Sequence, residues 1–137
     1  MLTYSTNTPV SLEQFRHVLE SSGLSKRRPM DDTKALQQMI DGASMIVTCW
    51  DDAKLVGMAR SLTDYAYACY LADLVVDEAY QHQGIGKRLI DLTEEQLGPH
   101  GKIILIAAPA AEGYYGKVGF DHHPQAWVRR KRKHPAP

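Results

Sequence analysis

The chain has 137 residues, 44% of them hydrophobic and 23% charged, with a formal net charge of zero. That length suits one domain with a core of its own and leaves little room for a second. No run of about 18 apolar residues occurs, which argues against a membrane-spanning helix, and a neutral balance offers no field to attract nucleic acid.

Met1 to Val10 lacks the basic start and apolar stretch of a signal peptide, so a cytoplasmic protein without membrane contact is expected. Leu2 to Ser5 reads as a short edge strand. Ser11, with Gln14 three residues on, forms a capping box for a helix carrying Leu12, Phe15, Val18 and Leu19 on one face. Gly23 ends it. The link from Leu24 to Met30 is basic and polar and is expected to lie exposed. Pro29 and Asp31-Asp32 introduce a second helix with Leu36, Met39 and Ile40 on its inner face, stopped by Asp41-Gly42.

The period then changes. Met45 to Trp50 and Leu55 to Leu62 read as a hairpin turning at Asp51-Asp52, and Ala68 to Val76 as a further strand. Cys49 and Cys69 fall within these runs and read as small buried thiols. Gly84 to Leu97 has helical spacing through Ile85, Leu89, Leu92 and Gln96, broken by Gly98-Pro99. Ile103 to Ala108 is apolar throughout, as in a central strand covered on both faces. A short helix over Ala111 to Val118 ends at Gly119, and Phe120 with Ala126 to Arg130 are expected to supply closing strands. The basic run Arg129 to Lys133 begins a tail, 129–137, expected to be disordered; residues 1–128 form the domain. Adjacent His122 and His123 would point to opposite faces of an extended chain, which disfavours a shared metal.

Strand 68–76, helix 84–97 and strand 103–108 make a βαβ unit, which sets the two strands parallel. Ligands of open α/β sheets bind where such a helix begins, past the carboxyl end of the first strand. Here that turn is Gln81-His82-Gln83-Gly84-Ile85-Gly86-Lys87. The first N–H groups of a helix lack internal partners and carry the positive end of its dipole, and glycine lets a phosphate come close to the backbone. Diphosphate binding is one reading, with Lys87 and Arg88 adding charge; a turn that merely packs the helix closely is the other. A P-loop requires glycine where Gln81 stands and Ser or Thr where Arg88 stands. A dinucleotide fingerprint requires a small residue where Leu89 stands.

The chain at this point resembles the GNAT superfamily of acyl-CoA-dependent N-acetyltransferases. One matching block is Gln81-x-x-Gly84-x-Gly86, preceded by Leu74 to Tyr80; the second is Tyr114-Tyr115-Gly116-Lys117-Val118-Gly119-Phe120, similar to the family's Phe-Tyr-x-x-x-Gly-Phe signature. The resemblance implies an α/β fold: a GNAT-type mixed central sheet with a splayed pair of parallel strands, flanked by about four helices. It implies that the amides of His82, Gln83, Gly84, Ile85, Gly86 and Lys87 hold the pyrophosphate of acetyl-CoA. Leu74, Val75 and Val76 would receive the pantetheine arm as though it were an added strand, and Tyr115 would lie near the thioester sulfur. It also makes a homodimer plausible. The chain departs from the pattern where some members carry a pantetheine-binding Asn, here Ala108, and a glutamate base, here Ile103.

The implied reaction is direct attack of an amine on the thioester, with no metal. A lysine-like amine with a pKa of about 10.4 is almost wholly protonated at neutral pH, a penalty of about 4.6 kcal/mol, so some group must take its proton. Asp73, on the strand that presents the thioester, ranks ahead of Asp64 and Glu112. Trp50, Arg60, Tyr65, Tyr67 and Tyr70 either line an acceptor pocket or pack within the sheet. The acceptor is a small-molecule or protein amine of unspecified identity. A non-catalytic acyl-CoA sensor of the same fold is the alternative, and nucleic-acid binding through the tail a more remote one.

Overall fold

The structure, a computed structural model, describes residues 1–131 and divides into two compact units, Met1–Ile106 and a second beginning at Ala107. The first unit holds a five-stranded sheet in chain order: β1 (Leu2–Ser5), β2 (Met45–Asp51), β3 (Lys54–Thr63), β4 (Ala68–Val76) and β5 (Lys102–Ile104). Every pair is antiparallel except β4–β5, which is parallel. Three helices accompany it: α1 (Leu12–Ser21), α2 (Thr33–Asp41) and α3 (Ile85–Glu95).

The helix starts follow their caps. Ser11 Oγ accepts from the Gln14 amide at 3.1 Å while Gln14 Oε1 accepts from the Ser11 amide at 2.9 Å, which closes the capping box. Asp32 accepts from the Ala35 amide at 3.0 Å and starts α2. Phe15, Val18 and Leu19 of α1 and Leu36 of α2 are fully buried in one cluster with Met58 and Val75 of the sheet. Truncating one such residue, as in Leu19→Ala, would cost about 2–5 kcal/mol.

The helix α3 packs on the other face. Met58 faces α1, so its neighbour Gly57 faces away. A Cβ added at Gly57 would lie 3.0 Å from Ile85 Cγ2 and 3.2 Å from Leu89 Cδ1. Glycine at 57 is what lets the first turn of α3 sit down on β3.

Two features of the sheet depart from the sequence reading. Of the apolar run 103–108 only Ile103 and Ile104 join the ladder with β4, which starts at Lys102, and Ile104 and Ile106 are 48% and 53% exposed. Hydrophobicity alone does not say which side of a strand finds a partner, and among the described residues nothing pairs with the outer side of β5. The closing strands expected at Phe120 and 126–130 are absent from the described residues, and Trp127 is 93% exposed. Ala126-Trp127-Val128 is a short apolar run between Pro124 and a block of cations, too little to define a buried face. Arg132 to Pro137, the greater part of the expected tail, lie outside the described residues.

Among its described residues the second unit holds one 3-10 turn (Pro109–Ala111) and α4 (Glu112–Lys117). Gly119, with φ of +99°, ends the helix in the left-handed region. The chain then folds back so that the Phe120 amide donates to Tyr115 O at 3.1 Å and the two rings meet edge to face at 5.5 Å.

Among the described residues no helix is long and apolar enough to cross a membrane. Cys49 and Cys69 are buried, free thiols.

Candidate active site

The candidate site begins in β4. Its ladder with β5 covers Ala68, Cys69 and Tyr70, yet β4 continues to Val76. The last six residues therefore have β3 on one side and no ladder on the other. The cause is local. The register with β3 runs Arg60↔Asp73 and then Ser61↔Leu71, so Ala72 is an extra residue in β4. A bulge of this kind bends and twists its strand, and it falls just where the parallel pairing ends.

Beyond Val76 the chain makes a short 3-10 turn (Glu78–Tyr80), which is tied down from three directions. The Asp77 amide donates to Val56 O at 2.8 Å, Asp77 Oδ1 accepts from the Ala79 amide at 2.9 Å, and the Tyr80 hydroxyl donates to Asp51 Oδ2 at 2.5 Å. That hydrogen bond, with the chain's terminal ammonium, holds the Asp51 carboxyl below its usual range. Gln81 Nε2 then donates to Val76 O at 3.2 Å, joining the loop to the end of β4.

The loop itself is open. His82, Gln83 and Gly84 are exposed, and His82 and Gly84 take φ of +64° and +80°. A non-glycine residue held there is strained, and such strain gathers at functional sites. Gly84 is the N-cap of α3 and offers no side-chain cap; a Cβ built there would meet nothing within 4 Å. The first main-chain bond closing the helix runs from the Arg88 amide to Gly84 O at 3.1 Å, so the amides of Ile85, Gly86 and Lys87 precede the ladder. The expected side-chain charge is spoken for: Lys87 Nζ lies 2.8 Å from Asp91 and Arg88 3.5 Å from Glu95. The groups this turn leaves available to an anion are main-chain N–H groups and the positive end of the helix dipole.

Asp73 is the residue whose surroundings differ most from expectation. Its side chain is fully buried between two guanidinium groups. Oδ1 accepts from Arg28 Nε at 2.7 Å, and Oδ2 accepts from Arg60 Nε. Both carboxylate oxygens are engaged by guanidinium groups. Arg28 falls in the link expected to lie exposed, yet it reaches inward because Pro29 holds it extended, at φ −133° and ψ 155°. Its pairing with Asp73 spans 45 positions, and no local pattern announces that; the Arg-Pro pair was the only hint. Gly57 and Tyr80 are the other contributors that the sequence did not single out for these tasks.

The remaining candidates divide. Asp64 Oδ1 accepts from the amides of Ala66, Tyr67 and Ala68, bonds that hold its carboxyl below the usual range and make it a turn cap. Trp50 is a core residue whose indole donates to Thr48 Oγ1 at 2.7 Å, and Arg60 is buried against Asp73. Tyr65 donates to Ser44 O, Tyr67 lies under the Lys102 ammonium at 4.3 Å, and Tyr70 is 43% exposed. In the second unit, burial and, less strongly, the neighbouring Tyr114 push the Tyr115 phenol above its ordinary pKa, so it remains protonated at neutral pH.

A mixed sheet whose one parallel pair parts midway, followed by a tight turn into an uncapped helix, defines an acyltransferase fold. The model of the acetyltransferase (GNAT) domain matches residues 12–133, and the chain belongs to that family. The uncharacterized N-acetyltransferase ycf52 of Pyropia yezoensis is 31% identical over 123 residues, 88% of this chain and 70% of that protein. The chloroplastic GCN5-related N-acetyltransferase 2 of Arabidopsis thaliana is 36% identical over 76 residues, 54% of this chain and 30% of that protein. The match thus spans about a third of the length of the first curated relatives. Among solved structures, the GNAT family acetyltransferase SP0256 of Streptococcus pneumoniae superposes with a TM-score of 0.74 at 24% identity, covering 96% of this chain and all of that one. The aminoglycoside N-acetyltransferase AAC(6')-Iy, in complex with CoA, superposes with a TM-score of 0.71 at 16% identity, covering 96% and 95%. At these identities the likeness establishes the fold.

Proposed function

We propose that the protein transfers the acetyl group of acetyl-CoA to a primary amine. The observation that carries this reading is the stretch from the edge of β4 that has no strand ladder, residues 71–76, into the exposed loop 82–84 and the start of α3. An extended amide-bearing arm suits the edge, and a diphosphate suits the helix start. The CoA complex of a neighbour with this fold supports the same cosubstrate. Leu74, Val75 and Val76 would hold the pantetheine arm, and the amides of residues 82–87 the diphosphate.

In the reaction the amine nitrogen forms a bond to the acyl carbon, the carbon–sulfur bond breaks, and sulfur leaves with the bonding pair as thiolate. Tyr115 would donate a hydrogen bond that strengthens as that charge develops. Its raised pKa favours donation of the bond over full release of the proton. Because Asp73 is held by two arginines and Asp64 caps a turn, we assign the amine's proton to water, with the carboxylate of Glu112, exposed at the start of α4, the remaining candidate base. The acceptor is a small-molecule or protein amine; neighbours of the same fold act on aminoglycosides, which makes that class the first to try. We retain the cytoplasm as the proposed location, which fractionation with a compartment marker tests.

Thiol release from acetyl-CoA across an amine panel tests the assignment. Amine-dependent release is expected; tight binding with no release for any amine would contradict it and favour a module that holds acyl-CoA without turnover. Tyr115→Phe is expected to lower turnover by roughly 10²-fold with unchanged acetyl-CoA affinity, and unchanged turnover would remove Tyr115 from the mechanism.

A further inference from the structure

Arg28 does more than neutralise Asp73. Its Nη2 donates to Ala72 O at 2.9 Å and lies 2.6 Å from Asp73 Oδ1, which Nε also reaches. Ala72 is the extra residue of the β4 bulge, which has no opposite number on β3. A bulged residue leaves the ladder locally broken and its carbonyl in search of a donor. Here the donor comes from the link between α1 and α2, 44 positions earlier. Arg60 completes the arrangement from β3: its Nε bonds Asp73 Oδ2 and its Nη1 donates to Met39 O at 3.2 Å, near the end of α2. One buried carboxylate and one bulge carbonyl thus join the α1–α2 link, α2, β3 and β4.

The location gives the clamp its consequence. The residues just past the bulge, Leu74 to Val76, are those on the open edge. In a strand, a slip of one residue exchanges the two sides on which all side chains and main-chain groups lie. The position of the bulge therefore decides which N–H and C=O groups of 74–76 face the open side. We propose that Arg28 is a positioning residue that pins the bulge at Ala72 and so fixes the main-chain groups offered to the arm of the acyl donor. The inference rests on the acyl-donor reading above and assigns a residue to it outside both family motifs.

The test compares two ligands, acetyl-CoA and ADP, the second having a diphosphate but no pantetheine arm. Calorimetric titration of the full chain with each is done for wild type and Arg28→Ala. Loss of one main-chain hydrogen bond is worth about tenfold, so the variant is expected to bind acetyl-CoA about tenfold more weakly or worse while its affinity for ADP is unchanged. A general loss of structure would weaken both ligands alike, and that result, or equal affinity of variant and wild type for acetyl-CoA, overturns the proposal. Arg28→Lys keeps a cation beside Asp73 but has one nitrogen to serve both Asp73 and Ala72. It is expected to remain folded by circular dichroism and to show the same selective loss, smaller in size; a lysine variant that binds acetyl-CoA like wild type also overturns the proposal. Wild-type protein that binds neither ligand would instead overturn the acyl-donor reading, and this inference with it.

Discussion

The two ends of the candidate site are built by opposite means. At the bulge of β4, the geometry is held by buried side chains from distant parts of the chain: Arg28, Arg60 and Asp73, with every oxygen of the carboxylate engaged. At the start of α3 the groups on offer are main-chain N–H groups, in an exposed loop with two left-handed residues and no side-chain cap. The first region is closed and depends on charge being paired. The second is open and depends on donors being left over. On the proposed function, the first region is the framework and the second the surface that receives the ligand.

That contrast is broken most severely at Asp73. Asp73→Ala leaves a buried Arg60 and a partly buried Arg28 without their carboxylate, and removing one partner of a buried pair costs about 3–5 kcal/mol. Urea unfolding should show this as a large drop in midpoint; a shift equal to that of a surface mutation would mean that the clamp is not structural. Gly57→Ala comes next. Its Cβ would press on Ile85 at 3.0 Å, an overpacking worth about 1–3 kcal/mol. It should also weaken acetyl-CoA binding, because Ile85 is the first residue of α3. Destabilisation without any loss of affinity would separate the packing of α3 from the presentation of its amides.

Gly84→Val acts on the open region with little effect elsewhere. No atom stands within 4 Å of the added Cβ, so the cost arises from φ of +80°, about 1–2 kcal/mol for a residue with a side chain. Acetyl-CoA affinity should fall by roughly tenfold or more in calorimetry while the thermal midpoint moves by only a few degrees. The smallest effects are those of pH. The Tyr4 phenol is pushed up to about 12, mainly by burial and secondarily by Cys49. The folded state therefore holds this proton more tightly than the unfolded one, whose phenol titrates near about 10. The contribution is complete below that value and is lost as pH rises toward 12. Asp64 and Asp51, whose pKa values are lowered, act in the opposite direction: their stabilisation is complete above the unfolded carboxylate range and disappears as pH falls through the folded values. Unfolding midpoints of Tyr4→Phe and Asp64→Asn against pH check both signs.

The open region was legible in the sequence because its physics is local. Glycines at 84 and 86 after a strand, a capping box at Ser11 and Gln14, and Gly119 before Phe120 each act on their immediate neighbours, so spacing alone reveals them. The clamp was not legible, because Arg28 and Asp73 meet only after the sheet has formed. A basic link looks the same whether its arginine faces water or a buried carboxylate, and Asp73 read as a candidate base for that reason. The apolar run after Lys102 failed differently. It announced a strand, but its exposure depends on what lies beyond the sheet edge, which no local pattern encodes.

The most direct test of the central claim is an amide-resolved NMR titration of the full chain with acetyl-CoA. The main-chain amides of residues 82–87 and of 74–76 should show the largest shifts, at concentrations where the clamp residues stay nearly still. Absence of binding, or shifts confined to other surfaces, would contradict the account.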